Sequence, residues 1–302
     1  RSSARWSSSD DIGCRMTVTD RAGLDDALAD TEVIHLGRHA PRFEGCDRVV
    51  GAVGRSVELL VKQLGSALPT TSTPGVDADR RAGVERLPVV GPVRIGVPMR
   101  AAVQAVGTAA ATASDVGVGA GAGVGAVFAD AGNAGAAAIH DLPFIPRARF
   151  VVALGMGGMG FAIAAGVGCA IAQSVETDPR RTVVIAGDGA FLMHGMEFHT
   201  AVQHHAPLTL VVLNNNAHGM CVTREQLYFP GAPSINRFLP ADIAAARAAM
   251  FPGIDVVRAQ TLSEVEKACA ELLGAAGPNC LVIDTDPDEC PPFVPFLSKG
   301  RP

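Results

Sequence analysis

No basic cluster interrupts this sequence. Its 25 lysines and arginines are outnumbered by 30 acidic side chains, for a formal net charge of -5. That leaves no electrostatic footprint for nucleic acid, and none for an anionic membrane surface. Nor is there a CxxC pair. The seven cysteines (Cys14, Cys46, Cys169, Cys221, Cys269, Cys280 and Cys290) are scattered, odd in number and mostly set among apolar residues. Buried thiols in a reducing cytosol are the simplest reading, and the expected location is cytoplasmic. An internal period and a heptad run are also missing, which excludes solenoids and long coiled coils. The opening Arg1-Ser2-Ser3-Ala4-Arg5-Trp6 lacks an apolar core and reads as a disordered tail rather than a secretory signal.

What is present is ordinary globular composition, 48% hydrophobic and 18% charged over 302 residues, enough for two domains or one large α/β domain. The uncharged run from Ala153 to Ala172 has the length of a membrane span, but six of its twenty residues are glycine, so burial inside the protein is expected. Early in the chain a short helix after Asp20, a strand over 32–36 and an amphipathic helix marked by Val50, Val53, Val57, Leu60, Val61, Leu64 and Leu68 are expected. Pro69 to Gly75 has linker chemistry and is followed by a charged run, Asp77 to Arg81. The domain boundary is placed there: residues 1–90 form a small N-terminal α/β segment and linker, and residues 91–302 the main domain.

From Pro98 onward the pattern alternates helix and strand. Helices are expected over 98–113, 160–172, 191–204, 241–250 and 261–273, the last opened by the capping box Thr261-Leu262-Ser263-Glu264. Strands are expected over 124–129, 182–186, 208–213, 255–258 and 280–285. Such alternation predicts an α/β fold, a parallel sheet with helices on both faces, with function at the carboxyl ends of its strands.

Three polar clusters fall at predicted strand ends: Gly132-Asn133, Gly187-Asp188-Gly189 and Asn214-Asn215. An Asp between two glycines leaves a backbone that a ligand can approach closely. The helix after it turns free N–H groups and a positive dipole end toward the same point. Adjacent parallel strands would set Asn215 beside Asp188. A carboxylate, an amide oxygen and a backbone carbonyl make an oxygen-only site suited to Mg²⁺ that carries a phosphate group.

Gly187-Asp188-Gly189, then twenty-four residues, then Asn214-Asn215 also resembles the signature of thiamine-diphosphate (ThDP) enzymes. The flanking Gly157-Gly158-Met159-Gly160-Phe161 and Ala217-His218-Gly219-Met220 are similar to the acetolactate synthase and 2-oxo-acid decarboxylase group. So is the close of the chain, from Cys280-Leu281-Val282-Ile283-Asp284 to Pro291-Pro292-Phe293. The resemblance covers residues 98 to 302 and implies the diphosphate-binding domain of that family, with ThDP and Mg²⁺ as cofactors. It implies Asp188, Asn215 and the carbonyl of Ala217 as metal ligands. Diphosphate contacts are implied at Gly187, Gly189, Ala190 and Phe191, at Gly219 and Met220, and at Gly132 and Asn133. Gly157 matches the carbonyl that faces the aminopyrimidine, and Met159 the bulky residue under which the cofactor bends.

The implied activity is decarboxylation of a 2-oxo acid, with or without carboligation as in acetolactate synthase. A glutamate that activates the cofactor in this family comes from a separate pyrimidine-binding domain, which residues 1–90 are too short to supply; at most they resemble the tail of the family's central domain. That domain is expected from another chain of a homo- or hetero-oligomer, unless it has been removed or does not exist. His194 and His218 lie in stretches similar to phosphonopyruvate- and sulfopyruvate-type decarboxylases, some of them split over two chains. Each histidine either faces substrate as a catalytic group or packs. A two-chain decarboxylase of that kind, and a non-catalytic ThDP-binding subunit, stand as alternatives. Arg224 is expected either to meet a substrate carboxylate or to be solvated.

Overall fold

Runs of β-branched and aliphatic residues separated by helices build a six-stranded parallel sheet in the second part of the chain. The structure is a computed structural model that describes residues 8–12, 32–40, 47–64, 93–115 and 123–290. Two compact units result, Arg1–Arg86 with Pro295–Pro302, and Leu87–Val294. In the first, strands β1 (Ser8–Ile12), β2 (Glu32–Gly37) and β3 (Asp47–Val50) pair in parallel in that order, followed by helix α1 (Val53–Leu64). Val50 was expected inside the helix but ends β3. The Gly51 N–H bonds back to the Gly37 carbonyl at 2.9 Å, so a turn separates strand from helix. The helix expected after Asp20, the linker 69–75 and the charged run 77–81 lie outside the described residues.

The second unit opens with α2 (Met99–Asp115), β4 (Val124–Ala129), α3 (Asn133–Asp141), β5 (Arg149–Val152) and α4 (Phe161–Ser174). Strand β6 (Arg181–Gly187) leads into α5 (Asp188–His194), a 3₁₀ turn over Gly195–Glu197 and α6 (Phe198–Gln203). Then come β7 (Leu208–Asn214), α7 (Gly219–Tyr228), α8 (Ile243–Met250), β8 (Val256–Ala259), α9 (Leu262–Leu272) and β9 (Asn279–Asp284). The strand order is β5-β4-β6-β7-β9-β8, every pair parallel. The single helix expected over 191–204 starts earlier, at Asp188, and is broken by the 3₁₀ turn. Helices α3 and α7 and the edge strand β5 were not expected.

Alternate residues of each central strand feed two cores. Val183, Ile185, Val211, Leu213, Leu281 and Ile283 meet α2, α3 and α9 on one face. Val184, Ala186, Leu210, Val212 and Val282 meet α4, α6 and α8 on the other. Burial of each larger aliphatic side chain contributes ~1.5–3 kcal/mol relative to exposure. The capping box expected at Thr261 forms in full, with Thr261 and Glu264 each accepting from the other's backbone N–H. Among the described residues no helix is long and apolar enough to cross a membrane. The uncharged run Ala153–Ala172 divides into turns and most of α4.

Candidate functional site

The chain reverses direction across the sheet at β4. Strand β5 lies on one side of β4 and β6 on the other. The helix after β4 packs on one face of the sheet and the helices after β6 on the opposite face. The loops therefore part and leave a crevice at the carboxyl ends of β4 and β6, the topological switch point where open α/β sheets bind ligands. Strand β7 is the next neighbour, so the three polar clusters end three adjacent strands. Asp130 fastens the first loop. It is buried, and its carboxylate accepts from the N–H groups of Ala131 at 2.8 Å, Gly160 at 2.9 Å and Ala162 at 2.9 Å, which ties the end of β4 to the start of α4. Its three donors are backbone amides, two of them thirty residues downstream, so no side chain announces the contact.

Asp188 is 2% exposed at the first position of α5. Burial lifts its carboxyl to about 6; the neighbouring amides of Gly189, Asn216 and Ala217 pull the other way without overcoming it. Only Gly189 reaches it in good geometry, donating to Oδ1 at 2.9 Å, while Oδ2 is buried with no partner among the described residues. On the neighbouring strand end Asn215 accepts the Ala217 N–H at 3.1 Å, inside a turn that Asn216 makes with φ of +52°. Gly219, at the start of α7, closes the far side. A side-chain carbon there would stand 2.8 Å from the amide nitrogens of both Asn133 and Asn215, so only glycine lets these two groups crowd the helix end. At Gly189 an added carbon would meet His218 Nδ1 at 2.5 Å and Met159 Cε at 3.2 Å.

One cavity of about 180 Å³ collects most of the residues singled out from the sequence: Gly132, Asn133, Gly157, Met159, Gly187, Asp188, Gly189, Ala190, Asn215, Ala217, His218, Gly219 and Met220. Phe191 and His194 do not line it. The Phe191 ring turns into the core beside Arg247, leaving only its backbone near the helix start. His194 is the last residue of α5, exposed, with its ring against Gly160. Because the helix starts at Asp188, His194 stands about 9 Å along the axis from it rather than one turn in. His218 does reach the cavity; its ring meets Phe238 edge-on with centroids 4.6 Å apart, and its Nδ1 is buried without a hydrogen-bond partner among the described residues. Met99, at the start of α2, lines the cavity with nothing in its sequence to mark it.

The donor set fits a divalent ion that carries phosphate oxygens. Asp188 Oδ2 and both side-chain polar atoms of Asn133 are buried and unpartnered among the described residues. Burying polar groups in that state is costly unless a ligand completes them. The starts of α5 and α7 add N–H groups that no preceding turn can satisfy, which suits an anion.

The sequence model described as thiamine pyrophosphate enzyme, C-terminal TPP binding domain, matches residues 130–284. The acetolactate synthase isozyme 2 large subunit of Escherichia coli is 31% identical over 140 residues, 46% of this chain and 24% of that protein. The mitochondrial acetolactate synthase catalytic subunit of Saccharomyces cerevisiae is 27% identical over 152 residues, 50% of this chain and 21% of that one. The chain thus spans between a fifth and a quarter of the length of these relatives. Benzoylformate decarboxylase from Polynucleobacter necessarius shares the fold at a TM-score of 0.60 with 17% identity, covering 87% of this chain and 46% of that structure.

Proposed function

Because this chain belongs to the thiamine pyrophosphate enzymes through their C-terminal TPP-binding domain, we propose that it supplies the diphosphate- and Mg²⁺-binding half of an enzyme that decarboxylates a 2-oxo acid. Residues 91–302 are the diphosphate-binding domain in this reading, and residues 1–90 the remnant of a central domain. One observation carries it: a buried carboxylate with an unpartnered oxygen, Asp188, at the switch point of a parallel sheet whose next strand ends at Asn215. Asp188, Asn215 and the Ala217 carbonyl hold the metal. The amides of Gly189, Ala190 and Phe191, the start of α7 at Gly219 and Met220, and the Gly132-Asn133 turn hold the diphosphate. Gly157 would offer its carbonyl to the pyrimidine, and Met159 would pack against the cofactor, both from the cavity wall.

The bound cofactor supplies an electron sink for the bond that releases CO₂. This chain's own part is to fix the cofactor's anionic end, neutralise it with one metal and keep water away from the reacting face. The buried ring nitrogen on the cavity wall favours His218 over the exposed His194 as the histidine that would touch cofactor or substrate. The activating glutamate comes from a pyrimidine-binding domain in trans. Carboligation, suggested by the acetolactate synthases among the relatives, is the alternative fate of the carbon left after CO₂ departs.

Calorimetric titration with ThDP in the presence and absence of Mg²⁺ tests the site. Tight binding is expected only with the metal, and Asp188→Asn is expected to weaken it at least 10-fold, the worth of one charged contact. Equal affinity without a divalent ion, or an unchanged Asp188→Asn variant, would remove the assignment. Addition of the pyrimidine-binding domain and measurement of CO₂ release then separate an enzyme half from a silent cofactor-binding module.

A further inference from the structure

Helix α7, whose first turn closes the cavity, brings one more charged group to it. Met220, Cys221 and Arg224 all line the cavity, and among the described residues Arg224 is the one lysine or arginine that does so. Met220 and Arg224 are four residues apart and share a helix face, and helical side chains lean toward the N-terminal end, here toward the cavity. Arg224 is exposed and makes no hydrogen bond or ion pair among the described residues. Its neighbour Glu225 does not compensate it. That carboxylate accepts from Ser234, from Asn236 Nδ2 at 2.6 Å and from the Ile235 N–H, which commits it to the following loop. By contrast Arg100, Arg237 and Arg258 each have a carboxylate partner.

Three anions could answer this guanidinium. The cofactor diphosphate is served by the helix starts and the metal, and Arg224 lies five residues into α7, about 7–8 Å along the axis from Gly219. The carboxylate that leaves as CO₂ is a poor partner, because an ion pair to it is strongest in the ground state and must break as the reaction proceeds. A second acidic group, one that stays on the substrate throughout, loses nothing by being held. We propose that Arg224 is a specificity-determining residue that selects a 2-oxo acid carrying a second acidic group, whether carboxylate, sulfonate or phosphonate, away from the reacting carbon. The inference rests on the 2-oxo-acid reading above. Arginine suits all three groups because its planar fork donates two parallel hydrogen bonds to paired oxygens.

The test compares pyruvate with 2-oxoglutarate, sulfopyruvate and phosphonopyruvate as substrates of the complete enzyme, this chain with its pyrimidine-binding domain, and of its Arg224→Gln and Arg224→Lys variants. At least one of the three doubly acidic substrates is expected to exceed pyruvate in kcat/KM, and which one it is identifies the second group. Arg224→Gln is expected to lower that kcat/KM about 10- to 100-fold, mainly through KM, with Arg224→Lys intermediate. Turnover of pyruvate is expected to fall by a smaller factor than that of the doubly acidic substrate, with the calorimetric affinity for ThDP retained. A wild-type preference for pyruvate over all three overturns the proposal, and so does an Arg224→Gln loss that is equal for all substrates or appears in ThDP affinity. Those results leave the parent reading intact. No CO₂ from any 2-oxo acid, despite bound ThDP, sinks the parent reading and this inference with it.

Discussion

Arg247 is the largest fully buried side chain among the described residues, and it is charged. Its guanidinium lies 3.9 Å from the ring centre of Phe198, 5.0 Å from Phe251 and 5.2 Å from Phe191. One nitrogen donates to the Gly195 carbonyl at 3.2 Å, while Nε and the other terminal nitrogen make no well-formed hydrogen bond among the described residues, where the buried Cys280 thiol is the nearby polar group. Burial pulls its pKa below the ordinary arginine value. The three rings offset part of the desolvation cost, but no carboxylate among the described residues does. A neutral side chain of similar reach should therefore serve as well or better. Arg247→Met is expected to melt within a few degrees of wild type or above it, its sulfur packing against the same rings. Arg247→Ala, which leaves a void, is expected to lose about 3 kcal/mol in denaturant unfolding. Equal losses in the two variants would mean that the guanidinium itself, rather than its volume, holds the turn at Gly195. Nothing in the alanine-rich segment Ile243–Met250 distinguishes this arginine from a solvated one, because all its partners but Phe251 and Cys280 lie some fifty residues upstream, at Phe191, Gly195 and Phe198. Asp188 and Asn215 were legible for the opposite reason: their glycine and asparagine neighbours sit beside them in the sequence.

At the start of α2 the helix meets the end of the described chain. The Met99 N–H donates to both oxygens of Glu289, at 3.0 and 2.9 Å, and the carboxyl is only 8% exposed. Burial dominates and raises it from 4.5 to about 7, with Asp286 and Asp141 adding repulsion against the favourable amides of Met99 and Arg100. The folded protein therefore holds this proton over a range where the unfolded chain has released it. Stability from this group is present in full below about 4.5 and is lost as pH rises to about 7, a total of about 3 kcal/mol. Glu289→Gln, which mimics the protonated acid, is expected to flatten that fall, and urea unfolding of both proteins at pH 5 and pH 8 would show it. A wild-type protein that gains stability over the same interval relative to the variant would reverse the sign of the argument. Elements with local signals were readable in the sequence, the capping box at Thr261 above all. Helix α3 was not, because its N-cap is Gly132, which has no side chain to cap with, and its alanines carry no period. The break at Gly195 was hidden because Phe198 and Ala201 keep a spacing that a continuous helix would also give.

On the scale of the whole molecule, the cavity opens beside a band of apolar side chains that the Leu87–Val294 unit leaves uncovered. Met156 is 93% exposed, and Phe161, Leu192, Met193 and Met196 are exposed as well. The segments that carry them meet near the site: Met156 precedes the cavity residues Gly157 and Met159, while the His194 ring on α5 packs against Gly160 at the head of α4. Large apolar surface of this kind beside a site is costly in water and is what a partner covers. In the function proposed above, a pyrimidine-binding domain would have to reach the same mouth to place its glutamate. Flexible methionines also adapt to a facing surface better than branched side chains do. Replacing Met193 and Met196 together by aspartate puts two charges into that contact without touching the core or the cavity lining. The variant is expected to melt within about 2 °C of wild type, as for exposed positions generally, and to retain ThDP binding. Its assembly with the pyrimidine-binding domain should weaken by a factor of at least 10, read by sedimentation velocity across a concentration series. If the assembled species persists unchanged, this apolar surface is not where the proposed partner docks.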